Sequence, residues 1–234
     1  MAGDTSKKSE KNSRKAAFRE QRQKAQKREK IVIFSVVAVL GILLAAVLII
    51  PNLPVNPDNV QKAGTLERSQ VDGTYAGDPN APVTVTEFSD FNCVHCSEFF
   101  KDGEDTLVSN YINTGKVYFR YVPMSFISQT SFTAAEAAYC AADQSKFWEY
   151  HDVLFTNYGA DFNDSMLQAI AQQVGLNMDD FNSCYTSGKY AQQVQDDLQY
   201  AQDQGVTGTP TFQVNGQLVD RYSLFSVIDQ ELAK

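Results

Sequence analysis

The sequence predicts an α/β fold carried behind one hydrophobic helix. Three observations predict it. Residues 31–50 form a twenty-residue run without a charge; a strand, a helix and a second strand succeed one another from Pro82 to Val122; and a long helical stretch then gives way to a hairpin signal and a last helix. A β-α-β succession of that length is the unit from which parallel sheets are built. Of the 234 residues, 43% are hydrophobic and 21% charged, which suits one or two globular domains. Four cysteines are too few for a disulfide-dense miniprotein, and 13 glycines with 7 prolines exclude a collagen-like chain.

The net charge of −8 averages unlike pieces. Residues 1–30 hold 11 Lys/Arg against 4 Asp/Glu, whereas residues 51–234 hold 9 against 24. Such a basic, apolar, acidic partition is a topology signal. The apolar piece, IVIFSVVAVLGILLAAVLII, would make about 30 Å of helix, the thickness of a bilayer's hydrocarbon core. A cleaved signal peptide is the competing reading, but it calls for a shorter apolar run ending in small residues, and here Val47-Leu48-Ile49-Ile50-Pro51 follows Ala45-Ala46. The expected arrangement is a basic cytoplasmic tail over 1–30, a single transmembrane helix over 31–50 and an extracytoplasmic remainder. Nucleic-acid binding by the tail is not expected, because Phe18 is its sole aromatic residue and stacking has no platform. Pro51, Pro54 and Pro57 punctuate a polar segment that reads as a semi-extended linker over 51–69.

In the domain, Pro82 to Phe88 alternates and is β-branched, a strand. A helix follows Cys96, weakened at Gly103, and Val117 to Val122 forms the next strand before Pro123. From about Ser131 to Gly205 the pattern is helical. Leu167, Ile170, Ala171 and Val174 share one face, with Asp164 or Ser165 as N-cap and Gly175 as stop; Ala191, Val194, Leu198 and Ala201 repeat the spacing. Thr211 to Val214, the turn Asn215-Gly216 and Gln217 to Val219 read as a hairpin, and a short helix from Ser223 ends the chain. No internal repeat and no dimerisation segment is visible, so a monomer is expected.

The chemistry sits in Cys93-Val94-His95-Cys96, directly after the first strand and at the start of a helix. A thiol there faces unpaired backbone N–H groups and the positive end of the helix dipole, both favouring thiolate. Cys93 is the candidate exposed nucleophile and Cys96 the resolving thiol, with His95 able to add a hydrogen bond or positive charge. Zinc is not expected. A zinc site needs two further ligands, and Cys140 and Cys184 lie far from the motif and apart from each other. An inert structural disulfide is also a poor reading, since a four-residue loop constrains the unfolded chain little.

The run TEFSDFNCVHCSEFF, the helical block and Gly205-Val206-Thr207-Gly208-Thr209-Pro210-Thr211-Phe212 together resemble the DsbA-like thioredoxin-fold family, and within it the membrane-anchored, BdbD-type branch. The resemblance covers about residues 70–234. It implies a thioredoxin fold with an inserted helical domain at about 125–205, here preceded by the transmembrane helix. It also implies a cis Pro210 facing the catalytic disulfide, with Thr209, Pro210 and Val94 on the peptide-binding side. Many relatives have proline where Val94 stands, while His95 matches the common form, so the reaction type carries over and the redox potential does not. Glu87 shares a strand face with Val83 and Val85 and matches an acidic residue of the family. Buried, it would relay the proton of Cys96; solvated at the strand end, it would do nothing.

In an oxidising compartment Cys140 and Cys184 are expected to pair, closing a loop worth about 4 kcal/mol in the chain-entropy account, with two separate buried thiols as the alternative. His151, in an aromatic run, reads as a structural helix histidine, and Phe91, Phe99, Phe100 and Met124 either line a peptide groove or fill the core. The expected function is an anchored thiol–disulfide oxidoreductase that introduces disulfides into reduced secreted or envelope proteins. It would use no cofactor beyond the Cys93–Cys96 disulfide and be reoxidised, as the resemblance implies, by a membrane protein of the DsbB or vitamin K epoxide reductase type. A reductase of the same fold, or a non-catalytic thioredoxin-like binding domain, are the alternatives.

Overall fold

The computed structural model describes residues 22, 27, 28, 30, 32–48, 54–64 and 66–234. The chain divides into two compact units, Met1–Leu53 and Pro54–Lys234. In the first, helix α1 covers residues 32–48 and is apolar on every side, with Phe34 76% exposed. Among the described residues no helix is long and apolar enough to cross a membrane. Residues 31, 49 and 50 of the expected span, and most of the basic tail, lie outside the described residues.

The second unit is built on a five-stranded sheet of order β1-β3-β2-β4-β5. The strands are β1 (Tyr75–Ala76), β2 (Val83–Ser89), β3 (Val117–Pro123), β4 (Thr211–Val214) and β5 (Gln217–Val219). β2 and β3 run parallel, with Val83 opposite Val117 and Glu87 opposite Tyr121; the other pairings are antiparallel. The parallel pair is joined by α2 (Val94–Asp102), α3 (Glu104–Leu107) and a π turn (Val108–Ile112), which completes the β-α-β unit. Gly103, with non-helical backbone angles (φ −120°, ψ −31°), divides α2 from α3, and a Cβ there would lie 2.5 Å from the Phe99 ring. The β4–β5 hairpin turns through Asn215 and Gly216, both with positive φ (46° and 88°), as a tight two-residue turn requires.

Alternation along β2 decides which side chains meet the site. Val83, Val85 and Glu87 face the main core, while Phe88 faces the other way into a small cluster with Val122, Met124, Ala201 and Val206. The helical block comprises α4 (Gln129–Ala142), α5 (Phe147–Thr156), α6 (Asp164–Gln173), α7 (Met178–Thr186) and α8 (Ala191–Asp203), and α9 (Leu224–Leu232) closes the chain. On α6 the expected face is buried at Leu167, Ile170 and Ala171, but the N-cap is Asn163, whose side chain accepts from Met166 N–H. Its carboxamide sits one residue ahead of Asp164 and two ahead of Ser165, where it can reach the first free amides. Cys140 and Cys184 form a disulfide that ties α4 to α7. His151, Phe91, Phe99 and Met124 are core residues, and Phe100 packs against the core.

The segment read as a free linker over 51–69 is, in its described part, attached to the domain. Val60 is buried; Gln61 N–H donates to Asn157 Oδ1 (2.9 Å) and Asn157 Nδ2 donates back to Gln61 O (2.8 Å). Arg68 enters the core outright, its side chain 1% exposed. Backbone amides satisfied by α5 and an apolar residue with somewhere to go outweigh the extended tendency of the prolines.

Candidate active site

β2 ends at Ser89, and a turn organised by Asp90 leads into α2. The buried Asp90 carboxylate accepts from the backbone N–H groups of Asn92 (2.8 Å), Phe126 (3.0 Å) and Ile127 (3.2 Å). It therefore fixes the turn and holds the loop after β3 beside it. Asn92 Nδ2 reaches three hydroxyls at the start of α4, those of Ser128, Thr130 and Ser131. Neither residue was singled out by sequence reasoning. An aspartate two residues before the next turn amide is the signal that could have found Asp90.

Cys93 occupies the N-cap position of α2, with extended backbone angles and no side-chain cap bond. Across from it the chain re-enters through a cis Thr209–Pro210 peptide bond. Pairing of Phe88 with Thr211 and a Phe99–Phe212 ring contact at 4.7 Å hold this re-entry at the same end of the sheet as Cys93. The Cys93 thiol donates to Thr209 O at 3.3 Å. Cys93 was expected to be exposed, but it is 6% exposed, because the Thr209–Pro210 turn lies over it; Val94 (46% exposed) and His95 face solvent instead.

The two thiols are pushed in opposite directions. Cys93 falls from 9.0 to about 5, first through a hydrogen bond with the Cys96 side chain, then, against burial, through the Thr209 side chain and the N–H groups of Cys96 and His95. Cys96 is driven up by burial and by the neighbouring Cys93 charge. The proton of the pair thus resides on Cys96 and the negative charge on Cys93. The Thr209 hydroxyl is buried and otherwise unpartnered, as a donor kept for a thiolate would be. The imidazole of His95 is engaged elsewhere. Its Nδ1 lies 3.0 Å from Glu98 Oε2, which also pairs with Arg221 (2.9 Å), and Arg221 donates to His95 O (3.2 Å). His95 therefore serves Cys93 through its backbone N–H.

Glu87 is buried, 3% exposed, behind the cysteines. Burial, then the charge of Glu104, raises its carboxyl well above the usual range, with Ser89 and then Arg68 pulling the other way. A neutral carboxylic acid beside a high-pKa thiol can exchange a proton with it. Among the described residues, Glu104, His151 and Asp152 are close enough together to ligate a cation. The cation present there is Arg68, which pairs with Glu104 and holds Asp152 in a fork of 2.8 and 3.0 Å. Arg68 thus supplies the positive charge that these two buried carboxylates face.

A family model described as thioredoxin matches residues 69–230. The chain is 31% identical over 169 residues to a probable disulfide bond formation protein D of Bacillus cereus, covering 68% of this chain and 78% of that protein. It is 32% identical over 165 residues to a Na(+)/H(+) antiporter NhaA 1 of Salinispora arenicola, where it spans 23% of the relative's length. The crystal structure of oxidised BdbD from Bacillus subtilis superposes with a TM-score of 0.64 at 25% identity, over 74% of this chain and all of that one. With a thiol pair at the head of α2, a cis-proline turn against it and a helical block between β3 and β4, the chain belongs to the DsbA-like thiol–disulfide oxidoreductases of the thioredoxin family.

Proposed function

We propose that this chain is an extracytoplasmic dithiol oxidase, anchored by residues 31–50 with its N-terminus in the cytoplasm, that introduces disulfides into reduced secreted or envelope proteins. One arrangement carries the reading: Cys93 stands at the N-cap of α2 against Cys96 and Thr209, which pushes its thiol down to about 5, while burial pushes the Cys96 thiol up. Stabilising the dithiol form makes the corresponding disulfide a stronger oxidant.

In the oxidised enzyme a substrate thiolate attacks Cys93 Sγ. The Cys93–Cys96 bond breaks, and Cys96 leaves with the electron pair and takes a proton from Glu87. A second substrate thiolate then attacks the substrate sulfur of the mixed disulfide, and Cys93 departs as thiolate. Two electrons pass to the enzyme and one disulfide is left in the substrate. Thr209 and Pro210, with exposed Val94 on the opposite lip, form the face a substrate strand meets. Once Cys93 is a thiolate, Thr209 O loses the thiol donor and is open to a substrate N–H. The pair itself stores the electrons, so the reading requires no further cofactor. Reoxidation falls to a membrane protein of the DsbB or vitamin K epoxide reductase type.

The test is the reduction potential of the Cys93–Cys96 pair, measured in the full chain. A value well above about −270 mV, toward about −120 mV, supports the oxidase; a value near −270 mV would make the chain a reductase. Trapping with Cys96→Ala separates catalysis from scaffold binding. Mixed disulfides through Cys93 are expected, and none at normal expression would end the enzymatic reading.

A further inference from the structure

The core behind Cys96 carries more charge than proton relay by one carboxyl requires. Glu87 stands opposite Tyr121 across the β2–β3 ladder. The Tyr121 ring meets His151 edge-on at 4.8 Å, and His151 Nδ1 lies 2.8 Å from Asp152 Oδ1. Asp152 is forked by Arg68, whose other contacts are Glu104, the Leu66 carbonyl (3.1 Å) and the Trp148 face (4.5 Å). The groups come from four parts of the chain: the segment before β1, β2–β3, α3 and α5. Tyr121 OH is buried among them without a hydrogen-bond partner, and the buried Ser89 hydroxyl lies two residues along β2 from Glu87, where it favours the ionised carboxylate.

We propose that Arg68 and Glu104 are a positioning pair for the redox centre, whose opposed charges set the proton occupancy of Glu87 and hence the pH range in which Cys96 can exchange its proton. The inference rests on the reading of Cys93–Cys96 as the redox pair and adds the part played by a residue outside the β-α-β unit. The geometric link is the buried series Glu87 opposite Tyr121, Tyr121 against His151, His151 on Asp152, and Asp152 joined to Glu104 by Arg68; within it Glu104 favours the neutral form of Glu87 and Arg68 its ionised form. The other buried polar and charged groups of this region, among the described residues, are Ser89 on β2, Asp90 in the turn after it, Tyr121 on β3, Cys93 at the N-cap of α2 and Cys96 within it, and His151 and Asp152 on α5. From β4 Glu87 meets Phe212, and on α9 Asp229 is occupied by Tyr111 and Glu231 by Lys234. Arg68 and Glu104 touch no substrate. They act through Glu87.

The experiment is the rate at which dithiothreitol reduces the disulfide of the full-length chain between pH 4 and 9, with Glu87→Gln identifying the inflection that belongs to Glu87. Glu104→Gln is expected to move that inflection down by about one pH unit and Arg68→Met to move it up by a similar amount, while Arg68→Lys leaves it in place. General damage to the fold has no reason to shift one inflection in opposite directions. If Arg68→Met does not fold, Glu104→Gln and Arg68→Lys decide. An unmoved inflection in folded Glu104→Gln, shifts of the same sign in both charge-removing variants, or a wild-type profile without a Glu87 inflection would overturn the proposal while leaving the oxidase reading intact. A wild-type disulfide inert to the dithiol at every pH would sink both.

Discussion

The two cysteine pairs of the domain are built for opposite ends. Cys140 and Cys184 join α4 to α7 across 44 residues and are bonded to each other. Cys93 and Cys96 lie within a single turn, are free thiols in this structure, and divide one proton unequally. Both pairs are buried, so burial does not separate them. What separates them is the surroundings. One pair spans two helices whose separation it fixes; the other sits at a helix start with a carbonyl and a hydroxyl of Thr209 against it and a buried acid behind. A disulfide becomes working chemistry where the structure prefers the broken state of one particular sulfur.

The contrast can be broken most sharply by removing the sulfurs. Cys93→Ser should abolish thiol exchange, read as loss of oxidation of a dithiol peptide, with the Cys140–Cys184 bond intact by mass. Cys140→Ala with Cys184→Ala should do the reverse: a stability loss of up to about 4 kcal/mol for a loop of this length, seen in denaturant midpoints, with the Cys93 reaction retained. Activity lost in the second variant while it remains folded would show that the pairs are not separable.

A finer test uses pH. Thiolate absorbance of the reduced protein should show an inflection near pH 5 that Cys93→Ser removes. Because this acidic group is lowered from 9.0 to about 5, its contribution to the stability of the reduced fold is complete above pH 9 and is lost as pH falls through 5. The oxidised protein lacks that titration, so the gap between the two forms should change with pH in that window. The smallest expected effect is from Thr209→Val. Losing the hydroxyl should raise the Cys93 inflection by about one pH unit or less, since the larger influence, the Cys96 hydrogen bond, remains. No shift would mean the hydroxyl does not serve the thiolate.

Much of this was legible in the sequence where a residue's role follows from its neighbours along the chain. Cys93 and Cys96 were marked by the strand before and the helix after, and the Asn215-Gly216 turn by its demand for positive φ. The illegible parts depend on contacts between distant residues. Glu87 was undecided because a strand-end carboxylate is buried or solvated according to what packs on it, here the main core on the face it shares with Val83 and Val85. The cover over Cys93 comes from Thr209, 116 residues away. The two-residue β1 has too little pattern to see, and its pairing with β3 is what makes it a strand.

Arg68 also bears on where this domain can be cut. A soluble fragment begun at residue 70, where the family-like sequence starts, would discard the guanidinium and strand Glu104 and Asp152 as two carboxylates facing each other in the interior, a loss on the order of 3–5 kcal/mol. It would also remove Val60 from the core and Gln61 from its two hydrogen bonds with Asn157 at the end of α5. Begun at Pro54, the fragment keeps Arg68 between its two carboxylates together with the Gln61–Asn157 contacts, and the buried charges stay balanced.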